Sequence, residues 1–446
     1  MSTGIVWFRR DLRLDDNPAW ADATRRHDHV VPLLVIEPAL LGSAGPYRRN
    51  AFLQAARTLD RDLEGRGGRL HVISANPADA LAKLMVEHGA EGVFANADVS
   101  RWSQRRDRAV DAATGGAVTW SWGTLVHPPG SVLTGKGTLS KVFTPFWRRW
   151  AKLPLPDEAK PGVATVSADP GSGVPTLEGS PPITATTGWD QLVERYGETR
   201  DIPAVEGTSR LSTALRFGEV SPRRLTELIG VDTAGREAFV RQLAWRDWYA
   251  HMTLDFPEIS RRAVRPEYDA IQWERGPDAE RDFAAWQAGT TGYPIVDAGM
   301  RELAATGWMH NRVRMLTASF LVKHLLIDWR RGERHFRHLL SDADPSQNAG
   351  NWQWVAGTGL DAAPYFRIFN PVTQSRRFDP DGTYIRRWVP ELAGLDPSMI
   401  HAPWETPPLD LAAAGVVLDD TYPAPIVDHS LARERTLAAY ATALGR

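Results

Sequence analysis

The sequence predicts an α/β domain followed by an all-α domain in a chain of 446 residues. Three observations lead to this prediction. Short β-rich runs alternate with helical stretches over residues 1–128, a stretch rich in Pro and Gly follows, and the strand signal disappears from about residue 189 onward. A chain of this length exceeds one ordinary domain, so two domains are expected.

Residues 1–128 are predicted to form a doubly wound parallel sheet. The runs "GIVWF", "VVPLLVI", "RLHVIS" and "GVFAN" are short, β-rich and bounded by turn residues, and they alternate with "YRRNAFLQAARTLDRDLEGRG" and "PADALAKLMVEHGA", which have helical spacing. No G-x-G-x-x-G follows the first strand, and the glycines of "GRGGRL" fit a helix C-cap. This domain therefore lacks the dinucleotide-binding fingerprint.

Residues 129–188 are predicted to be a long interdomain linker, because their second part is dense in Pro, Gly, Ser and Thr. Residues 189–446 are predicted to be almost all helical. The period of a helix is visible in "PRRLTELIG", "EAFVRQLAWRDWYAHMTL", "PIVDAGMRELAATGW" and "NRVRMLTASFLVKHLLIDWRRGERHFRHLL". By contrast, "DADPSQNAGNWQW" at 342–354 indicates a loop that carries two unexplained tryptophans.

Composition excludes several classes of protein. There is no cysteine, which rules out disulfides, thiolate metal sites and a Cys nucleophile and fits a cytoplasmic enzyme. No apolar run reaches the ~18 residues of a membrane span, and the N-terminus has no apolar signal core. Net charge is −2, so a nucleic-acid site would need local Arg clusters. The sequence contains no H-E-x-x-H, Walker or G-x-S-x-G motif and no convincing metal-ligand spacing of histidines.

Three short stretches of the second domain could carry chemistry. In "GTSRLSTALRFG", small hydroxyl residues lie at a predicted helix start, which could bind a phosphate, although plain N-capping is the simpler interpretation. In "VRQLAWRDWYAH", helical spacing places Gln242, Trp245, Arg246 and Tyr249 on one face, which could stack on a base or simply be partly buried. In "GWMHNRVRM", an amide, a guanidinium and a thioether share one helical face.

Together these stretches resemble the cryptochrome/photolyase family, and within it the class I photolyases for cyclobutane pyrimidine dimers (CPD). The match runs nearly end to end. It includes "VWFRRDLRLDDNPA", "KVFTPFWRRW", "AVEGTSRLS", "WRDWYAH", "TGYPIVDAGMRELAATGWMHNRVRM", "ASFLVKHLLIDWRRGER" and "DAAPYFRIFNPVTQ". The resemblance implies an antenna-type α/β domain over 1–128 and a helical FAD-binding catalytic domain over 189–446.

The resemblance also assigns residues to FAD, to DNA and to an electron relay. Matching positions imply FAD contacts at Tyr196, Thr208, Ser209, Arg210, Leu211, Ser212, Phe239, Arg246, Arg314, Asp342, Asp344 and Asn348. They imply a lesion site of Gln242, Trp245, Asn311, Met315 and Trp354, phosphate contacts at Arg200, Arg312 and Arg367, and a relay of Trp352, Trp329 and Trp273. Family members repair DNA by light-driven electron transfer from reduced FAD to an extruded dimer, and extrusion by photolyases is a standard example of base flipping.

The chain departs from the family pattern in two places. Gln242 stands where CPD photolyases usually carry Glu, and (6-4) photolyases also carry Gln, but Asn311 and Met315 favour the CPD lesion. Trp102 and Ser103 stand where folate-binding relatives carry an Asn-Glu pair, so a deazaflavin or flavin antenna, or none, is expected rather than folate. The alternatives are a cryptochrome-like light sensor and a (6-4) photolyase. The expected partner is DNA that contains pyrimidine dimers, with no membrane and no metal, and the protein is expected to be a monomer.

Overall fold

A computed structural model of the chain describes residues 1–176, 179 and 185–445. The remaining residues of the predicted linker, 177, 178 and 180–184, lie outside the described residues. The chain divides into two compact units. Unit 1 comprises 1–194, 209–258 and 341–346, and unit 2 comprises 195–208, 259–340 and 347–446. Among the described residues, no helix is both long and apolar enough to cross a membrane.

Unit 1 is built on a parallel sheet, which confirms the predicted α/β class. Its strands are β1 (Thr3–Phe8), β2 (His29–Ile36), β3 (His71–Ser74), β4 (Gly92–Asn96), β5 (Val118–Ser121) and β6 (Thr165–Val166). The order is β3-β2-β1-β4-β5, with β6 paired to the start of β2. The four predicted strands are present, whereas β5 and β6 were not predicted because they are only four and two residues long.

The helices of unit 1 include some that pack on each face of this sheet. They are α1 (Pro18–Arg26), α2 (Pro38–Ser43), α3 (Pro46–Glu64), α4 (Pro77–His88), α5 (Arg101–Ala113), α6 (Phe143–Trp150), α7 (Trp189–Leu192), α9 (Ser212–Phe217), α10 (Pro222–Ile229) and α11 (Ala234–Asp255). Alternate residues of β1 serve two cores: Val6 and Phe8 join one, and Ile5 and Trp7 join the other. This alternation follows from the two-residue period of a strand and makes the sheet doubly wound.

The segment predicted as a linker contains regular structure. Helix α6 buries Phe143, Phe146 and two tryptophans, and strand β6 extends the sheet. The described residues of 129–188 therefore pack within unit 1 and are not a free spacer. Their Pro and Gly residues mark bends of the chain. The predicted domain boundaries at 128 and 188 stay a prediction.

Unit 2 is helical, as predicted. Its helices are α8 (Tyr196–Thr199), α12 (Pro277–Ala288), α13 (Pro294–Thr306), α14 (Asn311–Ser319), α15 (Trp329–Leu339), α17 (Pro371–Phe378), α18 (Thr383–Trp388), α19 (Pro408–Ala413) and α20 (His429–Ala443). Helix α16 (Pro345–Ala356) begins in unit 1 and continues in unit 2. Residues 189–445 contain no strand longer than the isolated bridge between Leu418 and Tyr422.

The predicted helical stretch at 311–340 is interrupted. Helix α14 passes into a π-helical turn, Phe320–His324, and Leu326 then adopts a φ of 52° before α15 begins. The turn buries Lys323, whose Nζ donates to Ala356 O at 3.0 Å and lies 3.7 Å from the centre of the Tyr440 ring. Burial holds the pKa of Lys323 well below its usual value. This tertiary contact explains a break that no local Gly or Pro predicts.

The loop interpretation of 342–354 is wrong beyond Asp344. Pro345 occupies the first position of α16, where its missing N–H costs nothing. The Asp344 carboxylate accepts from Ser346 N at 3.0 Å, as an N-cap does. The Asp-Pro pair was therefore a helix start signal, and the two tryptophans lie on a helix.

Candidate functional site

A buried cluster of charges lies at the carboxyl edge of the sheet in unit 1. The strand order changes direction between β1 and β4, and ligands of open α/β sheets bind outside the strand ends at such a point. Arg10 follows β1 and Asp98 follows β4. The Arg10 Nη1 atom lies 2.9 Å from Asp344 Oδ2 and 3.5 Å from Asp98 Oδ2. Arg10 therefore joins two carboxylates from distant parts of the sequence.

Two more arginines complete this cluster, which we call the switch-point cluster: Arg10, Asp98, Arg216, Arg246 and Asp344. Arg246 is 5% exposed and donates to the backbone carbonyls of two neighbouring segments, those of Thr124 and Leu215. Arg216 donates from Nε to Ala343 O at 2.8 Å. The predicted cofactor residues Arg246 and Asp344 thus belong to one network.

The pKa values of the two carboxyl groups in the switch-point cluster are lowered by the positive charge of the arginines around them. Burial alone would raise the pKa of Asp344, but Arg10, Arg216 and Arg246 outweigh burial and hold it below its usual value. Asp98 behaves in the same way, with its pKa held far below the usual range. Burial lowers the pKa of Arg246 to about 10, and the neighbouring Arg10 contributes in the same direction. Both carboxylates are therefore ionised at neutral pH.

The switch-point cluster fits an anionic cofactor. Its three arginines exceed its two aspartates, so it carries surplus positive charge. Among the described residues, the buried Arg10 Nε and Arg216 Nη1 atoms have no hydrogen-bond partner. Buried donors without partners are costly, and an anion such as a diphosphate would satisfy them. The donor set is thus compatible with FAD.

The segment predicted to hold the phosphates is a strained turn rather than a capped helix. Arg210 has a left-handed φ of 52°, and Leu211 follows with φ −74° and ψ −3°. Leu211 is the N-cap of α9 and makes no side-chain capping bond, so the N-capping interpretation is wrong. A left-handed residue followed by a right-handed one turns successive N–H groups toward one side, which favours an anion. This backbone suits a phosphate better than the hydroxyls alone suggested.

Helix α11 presents the predicted amide and indole in fixed positions. The amide nitrogen of Gln242 donates to Ala238 O at 2.9 Å, which leaves its carbonyl oxygen and its second N–H for a ligand. The half-buried Trp245 ring stacks on Phe143, with centres 3.7 Å apart and planes 10° apart. Its neighbour Trp248 meets the ring edge-on at 5.2 Å. Arg246, which was predicted on the same face, instead donates to the backbone carbonyls of Thr124 and Leu215, so the predicted shared face is wrong for Arg246 because consecutive helical residues point about 100° apart. The grouping of Gln242 with Trp245 stays a prediction.

In unit 2, helix α14 joins the two predicted lesion residues. Asn311 Nδ2 lies 3.8 Å from Met315 Sδ, as the i, i+4 spacing requires. Arg312 forms an ion pair with Asp201 at 2.8 Å, and its guanidinium lies 4.3 Å from the centre of the Phe378 ring. Arg200 lies 3.8 Å from the same carboxylate. Two predicted phosphate-binding arginines thus share one counter-ion.

Helix α16 separates its two tryptophans. Trp352 is 2% exposed and packs edge-on against Phe336 at 5.0 Å, whereas Trp354 is half-buried. Residues two apart on a helix point about 200° apart, which explains the difference. On the same helix, Asn348 Nδ2 donates to the backbone O and the Oε1 of Glu333, at 3.0 and 2.9 Å. Glu333 therefore fixes the amide, with its oxygen turned away.

The other predicted residues have varied surroundings. Trp329 is buried at the start of α15, and the half-buried Trp273 meets Tyr440 edge-on at 6.2 Å. Phe239 stacks on Trp189 at 6.2 Å, and burial raises the pKa of Tyr196. Within the described residues, Thr208, Arg314 and Arg367 lie in unit 2, and Ser209, Ser212 and Asp342 lie in unit 1. Their roles stay predictions.

The fold and these residues define a chain with a doubly wound sheet, a helical unit and an anion-binding cluster. A family model described as "DNA photolyase" matches residues 4–163, and one described as "FAD binding domain of DNA photolyase" matches residues 239–442. The chain is 40% identical to a deoxyribodipyrimidine photo-lyase of Agrobacterium fabrum, over 98% of this chain and 97% of that protein. The chain belongs to the DNA photolyase family.

Solved structures agree with this assignment. A bacterial class III photolyase from Agrobacterium tumefaciens matches with a TM-score of 0.91 and 39% identity, and the match covers 100% of this chain and 98% of that protein. An archaeal photolyase from Sulfolobus tokodaii with two FAD molecules has a TM-score of 0.83 at 31% identity, over 99% and 100%. Because the first of these is a class III protein, the predicted class I subdivision stays a prediction.

Four residues with apparent roles were missed by the sequence interpretation. Arg10, Asp98 and Arg216 build the switch-point cluster, and Phe143 covers one face of Trp245. The pair of arginines directly after the first strand was a usable signal, since strand ends of α/β sheets carry ligand-binding residues. Arg216 and Phe143 had no such signal, because their partners are distant in sequence.

We expect Asp344→Asn to lower the free energy of unfolding by about 3–5 kcal/mol at neutral pH, because it leaves Arg10 buried with less compensation. The pKa of Asp344 lies below its unfolded value of about 3.9, so its stabilising effect is present above that pH and is lost as pH falls through the folded pKa. The difference between wild type and variant in urea unfolding should therefore shrink as pH falls below about 3.9.

Asp22→Asn is the control, because Asp22 pairs with the exposed Arg25 and its loss should cost at most about 1 kcal/mol. Equal losses for Asp344→Asn and Asp22→Asn would contradict the importance of the switch-point cluster.

Proposed function

We propose that the chain is a light-driven DNA-repair lyase that splits cyclobutane pyrimidine dimers. The observation that carries this proposal is the face of α11, where a fixed amide acceptor lies one helical turn from a stacked indole. Such a pair suits an extruded pyrimidine, which offers ring N–H donors and a flat surface. Relatives of this chain from Agrobacterium fabrum and Escherichia coli, 40% and 38% identical, are deoxyribodipyrimidine photo-lyases, which supports the same activity.

FAD is the cofactor, in agreement with the FAD-binding family model. When bound and reduced, it supplies the electron that light transfers to the dimer. The residues proposed to hold its phosphates and sugars are the 208–212 turn, Arg246 and Asp344. Tyr196 and Phe239 are also proposed to contact the cofactor. The surplus charge of the switch-point cluster offsets the cofactor's negative charge.

Asn348, Arg314 and Asp342 are proposed to surround the flavin ring. Because Glu333 holds the amide nitrogen of Asn348, its oxygen would accept a hydrogen bond from the ring. An amide does not release a proton near neutral pH, so Asn348 would not protonate the flavin ring. Arg314 supplies positive charge near an anionic ring.

The lesion site is proposed to consist of Trp245, Gln242, Asn311, Met315 and Trp354. Trp245 and Trp354 would pack on the extruded dimer, and Gln242 would accept from a pyrimidine N–H. Arg200, Arg312 and Arg367 are proposed to bind backbone phosphates, which makes binding weaken as salt rises. For Arg312, DNA would compete with Asp201. We also propose that the protein acts as a monomer in the cytoplasm.

A second chromophore is proposed for an open cleft in unit 1. The cleft is lined by the start of α4, Glu37 and one face of α5, including Trp102, Arg105 and Arg106. Trp102 is 45% exposed, and the Arg106 guanidinium lies 4.9 Å from its ring centre. An aromatic surface beside arginines and a helix N-terminus suits an anionic, flat molecule such as a flavin or deazaflavin. The Sulfolobus tokodaii photolyase holds a second FAD, which supports this class of ligand.

The activity is tested with two oligonucleotides, one containing a CPD and the other a (6-4) lesion. We expect purified protein with reduced FAD to remove the CPD under blue light and to leave it unchanged in the dark. Loss of the (6-4) lesion alone would favour the alternative lesion class. No repair of either lesion, in the light or in the dark, would contradict the proposal and favour a light-sensing role.

We expect Gln242→Ala to weaken CPD binding by about 0.5–1.5 kcal/mol, because one hydrogen bond to the lesion is lost. Affinity for undamaged DNA should not change, since the contact is to an extruded base. Fluorescence anisotropy with matched damaged and undamaged duplexes measures both. An equal loss for both duplexes in Gln242→Ala would contradict the acceptor role.

We expect Trp352→Phe to slow photoreduction of oxidised FAD strongly while repair by chemically reduced protein persists, because phenylalanine is much harder to oxidise than tryptophan. Flavin absorbance under blue light with an external reductant measures the rate. Trp286→Phe is the matched control: Trp286 is fully buried and lies 6.3 Å from Trp352, but it is outside the proposed relay. Similar photoreduction in wild type and Trp352→Phe would remove Trp352 from the relay.

A further inference from the structure

The stacking of Trp245 on Phe143 is unusually close among the ring contacts of unit 1. Ring centres lie 3.7 Å apart and the planes differ by 10°, whereas most other ring pairs of this unit lie 5–6.5 Å apart. Phe143 is 2% exposed and opens helix α6, so its ring is held by the core. The indole therefore rests against a rigid surface.

Phe143 also determines which face of Trp245 a ligand can use. Because Phe143 covers one face of the indole in parallel, a stacked ligand must lie on the opposite face. Trp248 meets the indole edge-on and Tyr249 lies at 5.6 Å with tilted planes, so neighbouring rings restrict rotation of the side chain. The Arg241 guanidinium lies 5.8 Å from the Phe143 ring centre and adds a cation–π contact to that ring.

We propose that Phe143 is a positioning residue for lesion recognition: it backs Trp245, so that the indole meets the extruded dimer without prior rearrangement. This inference rests on the proposed function of Trp245 as a wall of the lesion site. A rigid wall lowers the entropy lost on binding, and the gain depends on the ring of Phe143, not on its bulk alone. Binding to undamaged DNA does not use the extruded base, so it should not depend on Phe143.

The test uses Phe143→Leu, which keeps an apolar side chain but removes the flat ring, in the full-length protein loaded with FAD. We expect the Kd for CPD-containing duplex to rise roughly three- to tenfold, the range that corresponds to one aromatic pair. The Kd for the undamaged duplex should stay within about twofold. The flavin-to-protein absorbance ratio should equal that of wild type.

Phe146→Leu is the matched control. Phe146 lies on the same helix, is fully buried and contacts the rings of Phe143 and His251. We expect Phe146→Leu to lower the melting temperature but to leave the ratio of damaged to undamaged affinity unchanged. If Phe146→Leu changed this ratio as much as Phe143→Leu, a general packing effect would explain both, and the proposal would be overturned.

A double-mutant cycle with Trp245→Ala separates the proposal from its basis. We expect Trp245→Ala alone to weaken CPD binding, and Phe143→Leu to have no further effect in the Trp245→Ala background, because coupled residues are not additive. Additive losses would overturn the positioning role while leaving the lesion wall intact. If Trp245→Ala left CPD affinity unchanged, the lesion wall itself would fail, and the positioning role with it.

Discussion

The ion pairing of Arg10 with Asp98 and Asp344 is the constraint on which much of unit 1 depends. Buried charges are tolerated only when they are paired and hydrogen-bonded. Arg10 and Asp98 follow two central strands, whereas Arg216, Arg246 and Asp344 come from α9, α11 and the segment before α16. Pairing them requires these later segments to return to the sheet. This explains why 209–258 and 341–346 form one compact unit with the first 194 residues.

Helix α11 connects this electrostatic centre with an aromatic one. Arg246 faces the buried charges, and its neighbour Trp245 faces α6. Consecutive residues on a helix point about 100° apart, so one helix serves both surfaces without a kink. Asp247, the next residue, accepts from His127 N and Trp150 Nε1, and burial raises its pKa to about 6. The helix is thereby fixed on three sides, which suits a scaffold for both cofactor and lesion residues.

The sequence predicted the fold class and the long elements, because periodicity over many residues is a strong signal. It missed β5 and β6, which are too short to show a period, and the break near Leu326, where a buried lysine overrides local preference. The start of α16 was available in the Asp-Pro pair and was misread. For the candidate site, helical spacing correctly brought Asn311 beside Met315, but it wrongly placed Arg246 on the face of Trp245. Spacing could not supply Phe143 or Arg216, since those contacts join distant segments.

If Gln242 contacts the lesion as proposed, its tethered amide determines how that contact responds to pH. A glutamate at this position would titrate near pH 4.3 and would lose or gain charge as its surroundings changed. An amide does neither, and one of its two N–H donors is held by Ala238 O. The proposed contact therefore stays uncharged whatever the local acidity or the charge of the bound cofactor. The strength of the proposed Gln242 hydrogen bond should therefore not depend on the charge of the neighbouring groups.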